Sequence, residues 1–298
     1  MATIVALTRR NVKLFFKDKG MFFTALITPG ILLALYATFL GKLYRDSFIA
    51  AIPEGFALSD RLIDGLVGGQ LVASILAVSS VTVAFCSNFL MVQDKANGTA
   101  RDLRISPVKP YALSIGYYAA TLISTLIICF GAAVLCLVYL AIVGWYLSFL
   151  DVVLLFADIA LLVMFGTALS SVISFFLSTQ GQISAVGTII SAGYGFICGA
   201  YMPISAFSEG LQRVIGFLPG TYGTSLIRNH AMGGAIEEMA KTVPAEVTEA
   251  VRLSVDCDLY FFDDLVPTSA MYLILALSVL LLVGVYVLMN VLRSKKAR

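Results

Sequence analysis

The chain has 298 residues, of which 59% are hydrophobic and 13% are charged. A soluble domain carries about 25% charged and 45–50% apolar residues, so this composition excludes an ordinary soluble enzyme and a disordered chain. The mean hydropathy of +0.94 and several apolar runs of bilayer length predict an integral membrane protein. Basic residues flank these runs instead of clustering on one soluble face, so we expect no nucleic-acid partner.

Residues 1–19 predict an amphipathic helix that precedes the first apolar run. Arg9, Arg10, Lys13 and Lys17 fall on one arc of a helical wheel, and apolar side chains fall on another. This pattern is typical of a helix that lies in the membrane interface, with its basic face toward anionic lipid headgroups. The alternative is a simple positively charged anchor.

Six apolar runs are each long enough to cross a bilayer, which takes about 20 helical residues. They are predicted at residues 21–40, 66–92, 112–140, 152–178, 183–202 and 267–292. The predicted fold class is therefore an all-α integral membrane protein, with six transmembrane helices in a single domain over residues 1–298.

The distribution of Lys and Arg predicts the orientation of the chain. Basic residues are concentrated in 1–19, 93–110 and the C-terminal tail, whereas acidic residues dominate 203–264. By the positive-inside rule, both termini and 93–110 are cytoplasmic, and 203–264 lies outside.

The loop at 93–110 predicts a short capped helix. Asn97-Gly98 is a strong turn signal. Thr99 suits an N-cap, with Asp102 at the third helical position as in a capping box, and Pro107 ends the helix. The helix is expected over residues 100–105, with exposed side chains at Arg101, Leu103, Arg104 and Ile105. Its mixed charged and apolar surface suits docking on another protein; an ordinary polar connector is the alternative.

The segment after the fifth run predicts a break and a short helix. Pro203 should break the helix, and Pro219 should break the chain again. The moderately apolar stretch between them is too short to span, which favours a re-entrant hairpin packed against protein. A peripheral surface helix is the alternative. Farther on, residues 235–256 could form an amphipathic helix, with Pro244 restricting its middle. Asp256, Asp258, Asp263 and Asp264 form an acidic cluster that suits a solvated face better than a cation site.

These two segments resemble the signatures of ABC-transporter type-2 permeases. The loop matches that family's coupling segment at Gly98, Thr99, Leu103 and Pro107. The later segment matches its re-entrant signature at Gly199, Pro203, Leu211, Gln212, Pro219, Thr221 and Tyr222. The acid usually found before the glycine is displaced to Asp94, and Ala206-Phe207-Ser208 replaces a middle proline.

The resemblance implies a bacterial cell-membrane permease that pairs with a second permease copy and with cytoplasmic ABC ATPase subunits. The implied ATPase-coupling residues are Gly98, Thr99, Arg101, Asp102, Leu103, Arg104 and Pro107. The implied re-entrant hairpin includes Gly199, Pro203, Gln212, Pro219 and Tyr222. The chain has no G-x-x-x-x-G-K-[ST] phosphate loop, so we expect no cofactor on this chain, and ATP and Mg²⁺ on the partner ATPase. The expected cargo of the exporter is a drug, an antibiotic or a lipid-like molecule, with polysaccharide or glycolipid export as the alternative.

In that family the second and fifth helices line the translocation path. Polar candidates on these helices are Ser80, Ser87, Asn88, Ser184, Thr188, Ser191 and Tyr194. Such small and hydroxylated residues also suit helix–helix packing, and both interpretations stay open.

Asp158 is the charged residue deepest within an apolar run. Burying a carboxylate in hydrocarbon is costly, so Asp158 either makes a substrate or relay contact or makes a structural hydrogen bond. An ion-coupled secondary transporter would need more than this one acid. A membrane-embedded enzyme would need a nucleophile or a metal cluster, and the single histidine, His230, argues against the latter.

Overall fold

The structure is a computed structural model that describes residues 1–52, 56, 58–105, 108–262 and 264–296. Its described helices, in chain order, are α1 (Ala2–Lys17), α2 (Lys19–Leu35), α3 (Gly41–Ala51), α4 (Asp60–Ala96), α5 (Thr99–Ile105), α6 (Pro110–Val143), α7 (Phe149–Phe176), α8 (Gln180–Ile197), α9 (Glu209–Gly216), α10 (Pro219–Ala240), α11 (Ala245–Ser254) and α12 (Thr268–Lys296). A two-residue hairpin, β1 (Tyr260–Phe261) and β2 (Asp264–Leu265), pairs antiparallel. The predicted all-α membrane fold class is confirmed.

Five helical segments are long and apolar enough to cross a membrane. They cover Lys19–Ala50, Asp60–Ala96, Tyr111–Val143, Phe149–Phe176 and Thr268–Leu292. The remaining predicted span corresponds to α8, which has 18 residues and opens on Gln180-Gly181-Gln182. These polar residues lower its apolarity, and a crossing by α8 stays a prediction.

The first apolar helix is longer than the predicted 21–40. A π-helical turn over Tyr36–Leu40 joins α2 to α3 without a break. The helix continues through charged residues because the Arg45 guanidinium on α3 pairs with the carboxylates of Asp60 and Asp64 on the first turns of α4. The charge-free run in the sequence therefore predicted only the apolar part of this helix. It did not predict the continuation through α3, whose charged Arg45 is paired in the fold.

Helix α4 forms the centre of the bundle. It is 37 residues long, about 55 Å at 1.5 Å per residue, and it packs against α2, α6, α7, α8 and α10. Close approach needs glycine: a Cβ on Gly69 would lie 2.8 Å from the Ala231 carbonyl oxygen, and one on Gly166 would lie 2.8 Å from that of Ser80. Small residues thus bring α7 and α10 against α4, as is common between membrane helices.

The first turns of helix α10 lie near the middle of the bundle. A Cβ on Gly223 would lie 2.6 Å from the Leu162 side chain, and Leu162 is near the midpoint of α7. The helix packs against α4, α7 and α12 and then leads to α11, which contacts α3. We call this side of the bundle, with α3, α9 and α11, the α11 end, and the side with α1, α5 and the last turn of α7 the α5 end.

Two further predictions of helix bounds are wrong. The helix α8 ends at Ile197, well before Pro203, because Gly199 has a φ of 74° and the Ala200 amide donates back to the Gly195 carbonyl at 2.8 Å, which is a Schellman ending. The helix predicted over 235–256, with Pro244 restricting its middle, is divided there into the end of α10 and the whole of α11. Pro244 stands just before α11, because proline has no amide hydrogen and disfavours helix in the residue before it.

Candidate functional site

The loop helix α5 follows α4 after a tight turn. Gly98 has a φ of 83°, a left-handed conformation that glycine adopts without steric cost. The Arg101 amide donates to the Gly98 carbonyl at 2.8 Å and so starts α5, which begins at Thr99, one residue before the predicted range. Pro107 lies outside the described residues, as does the side chain of Arg104.

The side chains of α5 divide into a packed face and an open face. Ala100 is buried. Leu103 packs on a cluster of Leu7, Met91, Leu113 and Tyr117, so the prediction that it is exposed is wrong: this cluster, assembled from α1, α4 and α6, covers it. Arg101 and Asp102 are exposed, and Ile105 is 76% exposed. The open face therefore combines charges with one protruding apolar side chain.

Asp94, near the end of α4, joins α4 to α1 and α6. Its carboxylate accepts hydrogen bonds from the Arg10 guanidinium at 2.8 Å and from the Tyr117 hydroxyl at 2.5 Å. The hydrogen bond to Asp94 raises the pKa of Arg10. The sequence placed Arg10 on a lipid-facing arc. Its true partner is distant in the chain, and the only sequence signal was the displaced acid at Asp94.

A groove of about 1010 Å³ runs between α2 and α8, with α4 as its floor. Ser184, Thr188 and Ser191 of the predicted path residues line it. Apolar side chains form most of the remaining wall, among them Ile31 and Phe39. The groove can therefore accept a mainly apolar group with a few hydroxyl contacts from α8.

The other predicted path residues face the interior of the subunit. Ser80 is buried and donates to the Leu76 carbonyl at 2.7 Å. Asn88 donates from its amide to the hydroxyls of Ser170 and Ser171, each at 3.2 Å. Ser87 and Tyr194 are also buried. In this single chain these four side chains are buried, Asn88 bonds to α7, and none of the four lines the groove.

The predicted hairpin residues hold α9 in place. The Gln212 amide donates to the Phe207 carbonyl at 2.7 Å, and the Tyr222 hydroxyl donates to the Gly216 carbonyl at 2.6 Å. Pro219 is the first residue of α10, where its missing amide hydrogen costs nothing. Short helix α9 is thus fastened at both ends between α8 and α10.

A buried ion pair at the α11 end was not predicted. Arg228 on α10 and Asp256 after α11 lie 3.0 Å apart, with side-chain exposures of 1% and 4%. Asp256 also accepts from the Ile204 amide at 3.0 and 3.1 Å, and Arg228 donates to the Gly199 carbonyl. This pair ties the end of α8 to α10 and α11.

The acidic cluster is therefore partly neutralised within the chain. Besides Asp256, Asp258 receives two hydrogen bonds of 2.7 Å from the Arg252 guanidinium, and these raise the pKa of Arg252. Asp263 lies outside the described residues. Among the described residues there is no group of three or more His, Cys, Asp or Glu side chains that could hold a metal.

Asp158 is fully buried on α7 and meets two partners. Its carboxylate lies 2.5 Å from His230 Nδ1 on α10 and accepts from the Tyr272 hydroxyl on α12 at 2.5 Å. These contacts satisfy an acid that would otherwise be costly inside the bundle, and they link three helices.

Comparison with known families gives one match. A sequence model for the ABC-2 type transporter matches residues 2–231, a region that runs from α1 into α10 and includes α5, the groove and the hairpin. In a search of curated proteins, no sequence matches the chain.

Proposed function

Because the chain belongs to the ABC-2 type transporter family, we propose that this permease component of an ABC transporter is an exporter subunit driven by a separate ATPase. The family membership confirms the resemblance seen in the two sequence motifs. The observation that carries the proposal is α5, a short helix held at one end of the bundle with Ile105 and Arg101 on its open face.

The ATPase docks on the open face of α5. An exposed apolar side chain beside charges can fill a pocket on a partner, while the charges set the orientation. ATP and Mg²⁺ bind on the ATPase, since this chain has no phosphate loop. In this proposal the chain is a multi-pass protein of a bacterial cell membrane, and α5 and both termini lie in the cytoplasm, on the side of the ATPase.

Two copies of the chain enclose the cargo path, and the α2–α8 groove contributes its lining in each copy. The apolar wall and the hydroxyls of Ser184, Thr188 and Ser191 suit a drug, an antibiotic or a lipid-like molecule better than a strongly hydrated one. Rigid helices carry the displacement of α5 to this groove.

The test is purification of the tagged full-length chain from its native membranes, followed by measurement of Mg²⁺-dependent, vanadate-sensitive ATP hydrolysis in the eluate. We expect activity with the wild-type chain. Ile105→Asp, which places a charge in the docking contact, should retain at most about a tenth of that activity.

The matched control is Val214→Asp, an equally drastic change at an exposed side chain of α9 at the α11 end, and it should keep the activity. A wild-type eluate with no ATPase, or an Ile105→Asp eluate as active as wild type, would contradict the proposal.

A further inference from the structure

Lys95 closes the end of a neighbouring helix. Its ammonium group donates to the carbonyl oxygens of Ser174 at 2.8 Å, Phe175 at 3.0 Å and Leu177 at 3.0 Å. The last carbonyls of a helix have no partner within it, and a cation there also meets the negative end of the helix dipole. The Lys95 ammonium group of α4 thus donates three hydrogen bonds to carbonyl groups at the C-terminal end of α7.

Lys95 lies in the last turn of α4, next to the start of α5. The turn between the two helices is closed by the Asn97 amide, which donates to the Gln93 carbonyl at 2.9 Å. Leu103 of α5 packs on the same cluster as Met91 of α4, one helical turn before Lys95, so a displacement of α5 would be passed to the end of α4 that carries Lys95.

The end of α7 that Lys95 contacts is connected by a short link to α8, which lines the groove. The link from α7 to α8 is short and hydrogen-bonded: the Ser178 amide donates to the Gln182 side chain at 2.7 Å, and Thr179 caps α8. Ser184 and Thr188, one and two turns into α8, line the groove. The carbonyl groups that Lys95 contacts therefore lie at the start of the α7–α8 connection, which determines the position of the first turn of α8.

We propose that Lys95 is a positioning residue that passes displacement of α5 to α8 through the C-terminus of α7. This inference rests on the proposed function, because it needs an ATPase that moves α5. The neighbouring Asp94 holds α1 and α6, so two adjacent side chains in the last turn of α4 have different partners: Asp94 ties α4 to α1 and α6, and Lys95 ties α4 to the end of α7.

The experiment uses the full transporter with its ATPase in lipid nanodiscs. A bimane fluorophore on Thr188→Cys, with Cys86 and Cys136 changed to Ala, reports on α8, and the signal is the fluorescence change when ATP and vanadate are added. Lys95→Met removes all three donors, Lys95→Arg keeps the charge, and Lys109→Met is the control, since Lys109 is an exposed lysine of the same loop.

With Lys95→Met we expect the ATPase to stay bound and active, while the fluorescence change falls at least about fivefold. Lys95→Arg should recover part of the response, and Lys109→Met should match the parent. A purely structural role for Lys95 would reduce the yield of folded complex without changing the response per complex. Should Lys95→Met fail to assemble, Lys95→Gln, with two donors, must give a response below that of Lys95→Arg.

A full fluorescence response in assembled Lys95→Met, or in Lys95→Gln where that variant replaces it, overturns the inference. Loss of the ATPase from a folded Lys95→Met permease also overturns it, because Lys95 would then serve docking. If the parent complex itself binds no ATPase or shows no response to nucleotide, the proposed function fails instead, and the two failures are thereby distinguished.

Discussion

The two ends of the bundle are held together in different ways. At the α5 end, helices are joined by charged side chains that keep some contact with solvent: Arg10, in its pair with Asp94, has a side-chain exposure of 33%. The α11 end has exposed pairs of its own, at Arg45 and Arg252, but it also holds Arg228 and Asp256, which are almost fully buried and also bond to backbone.

The difference separates an adjustable end from a rigid one. Breaking a buried ion pair costs about 3–5 kcal/mol, because the remaining charge is left without a partner. Breaking the Arg10–Asp94 pair costs less, because Arg10 stays partly in contact with solvent, at 33% side-chain exposure against 9% for Asp94. The α11 end therefore keeps its arrangement while contacts at the α5 end can change partners. An energy input at α5 would act on the end that can respond.

The largest expected effect is at the buried pair. Arg228→Met should lower the free energy of unfolding by about 3–5 kcal/mol, since it leaves the Asp256 carboxylate buried and unpaired. Thermal unfolding of the purified protein in detergent measures this. Arg213→Met, which removes an exposed arginine of α9, is the control. An unchanged unfolding temperature for Arg228→Met would mean that the two ends do not differ as described.

At the α5 end, Asp94→Asn should cost about 1.5–3 kcal/mol, because it weakens the charged hydrogen bonds to Arg10 and Tyr117. The same unfolding measurement applies, and Asp102→Asn on the exposed face of α5 should leave stability nearly unchanged. An effect of Asp94→Asn as large as that of Arg228→Met would remove the contrast between the ends.

Gly98→Ala tests the turn into α5. A side chain at a φ of 83° costs about 1–2 kcal/mol, so stability should fall by that amount. Gly233→Ala in α10 is the matched change, since a Cβ there would meet open space and should stabilise the helix by about 0.5–1 kcal/mol. Opposite signs in the two unfolding curves are the expected result; equal signs would contradict it.

The smallest effect is expected for Arg252→Gln. Its pair with Asp258 also lies at the α11 end, but the side chains are 30% and 28% exposed, so the loss should be about 0.2–1 kcal/mol. This variant sharpens the comparison by separating burial from location. A loss as large as that of Arg228→Met, read from the same unfolding curves, would show that location matters more.

Local signals in the sequence were enough for some elements. The Asn97-Gly98 turn and Thr99 placed α5 to within one residue, because turn and capping preferences act over a few neighbouring residues. Charge-free runs likewise located the apolar helices. A helix that crosses a bilayer must be apolar over most of its length, and this requirement is visible directly in the local sequence.

Pairings between distant residues were not accessible in the same way. Arg228 and Asp256 are separated by α11 and its flanking turns, and only the tertiary fold brings them together. Asn88 was recognised as polar within an apolar helix, but its direction depends on α7 lying against α4. Helix α10 reads as part of a polar loop because the partners of its Arg228 and His230 side chains are brought to it only by the folded bundle.

The unbroken length of α4 has a mechanical consequence. It runs from the α11 end to the α5 end as one stiff rod of 37 residues, with no proline inside it. A tilt of such a rod about its midpoint carries its two tips in opposite directions. Widening the bundle at one surface of the membrane would then narrow it at the other, so the bundle could not be open at both surfaces at the same time.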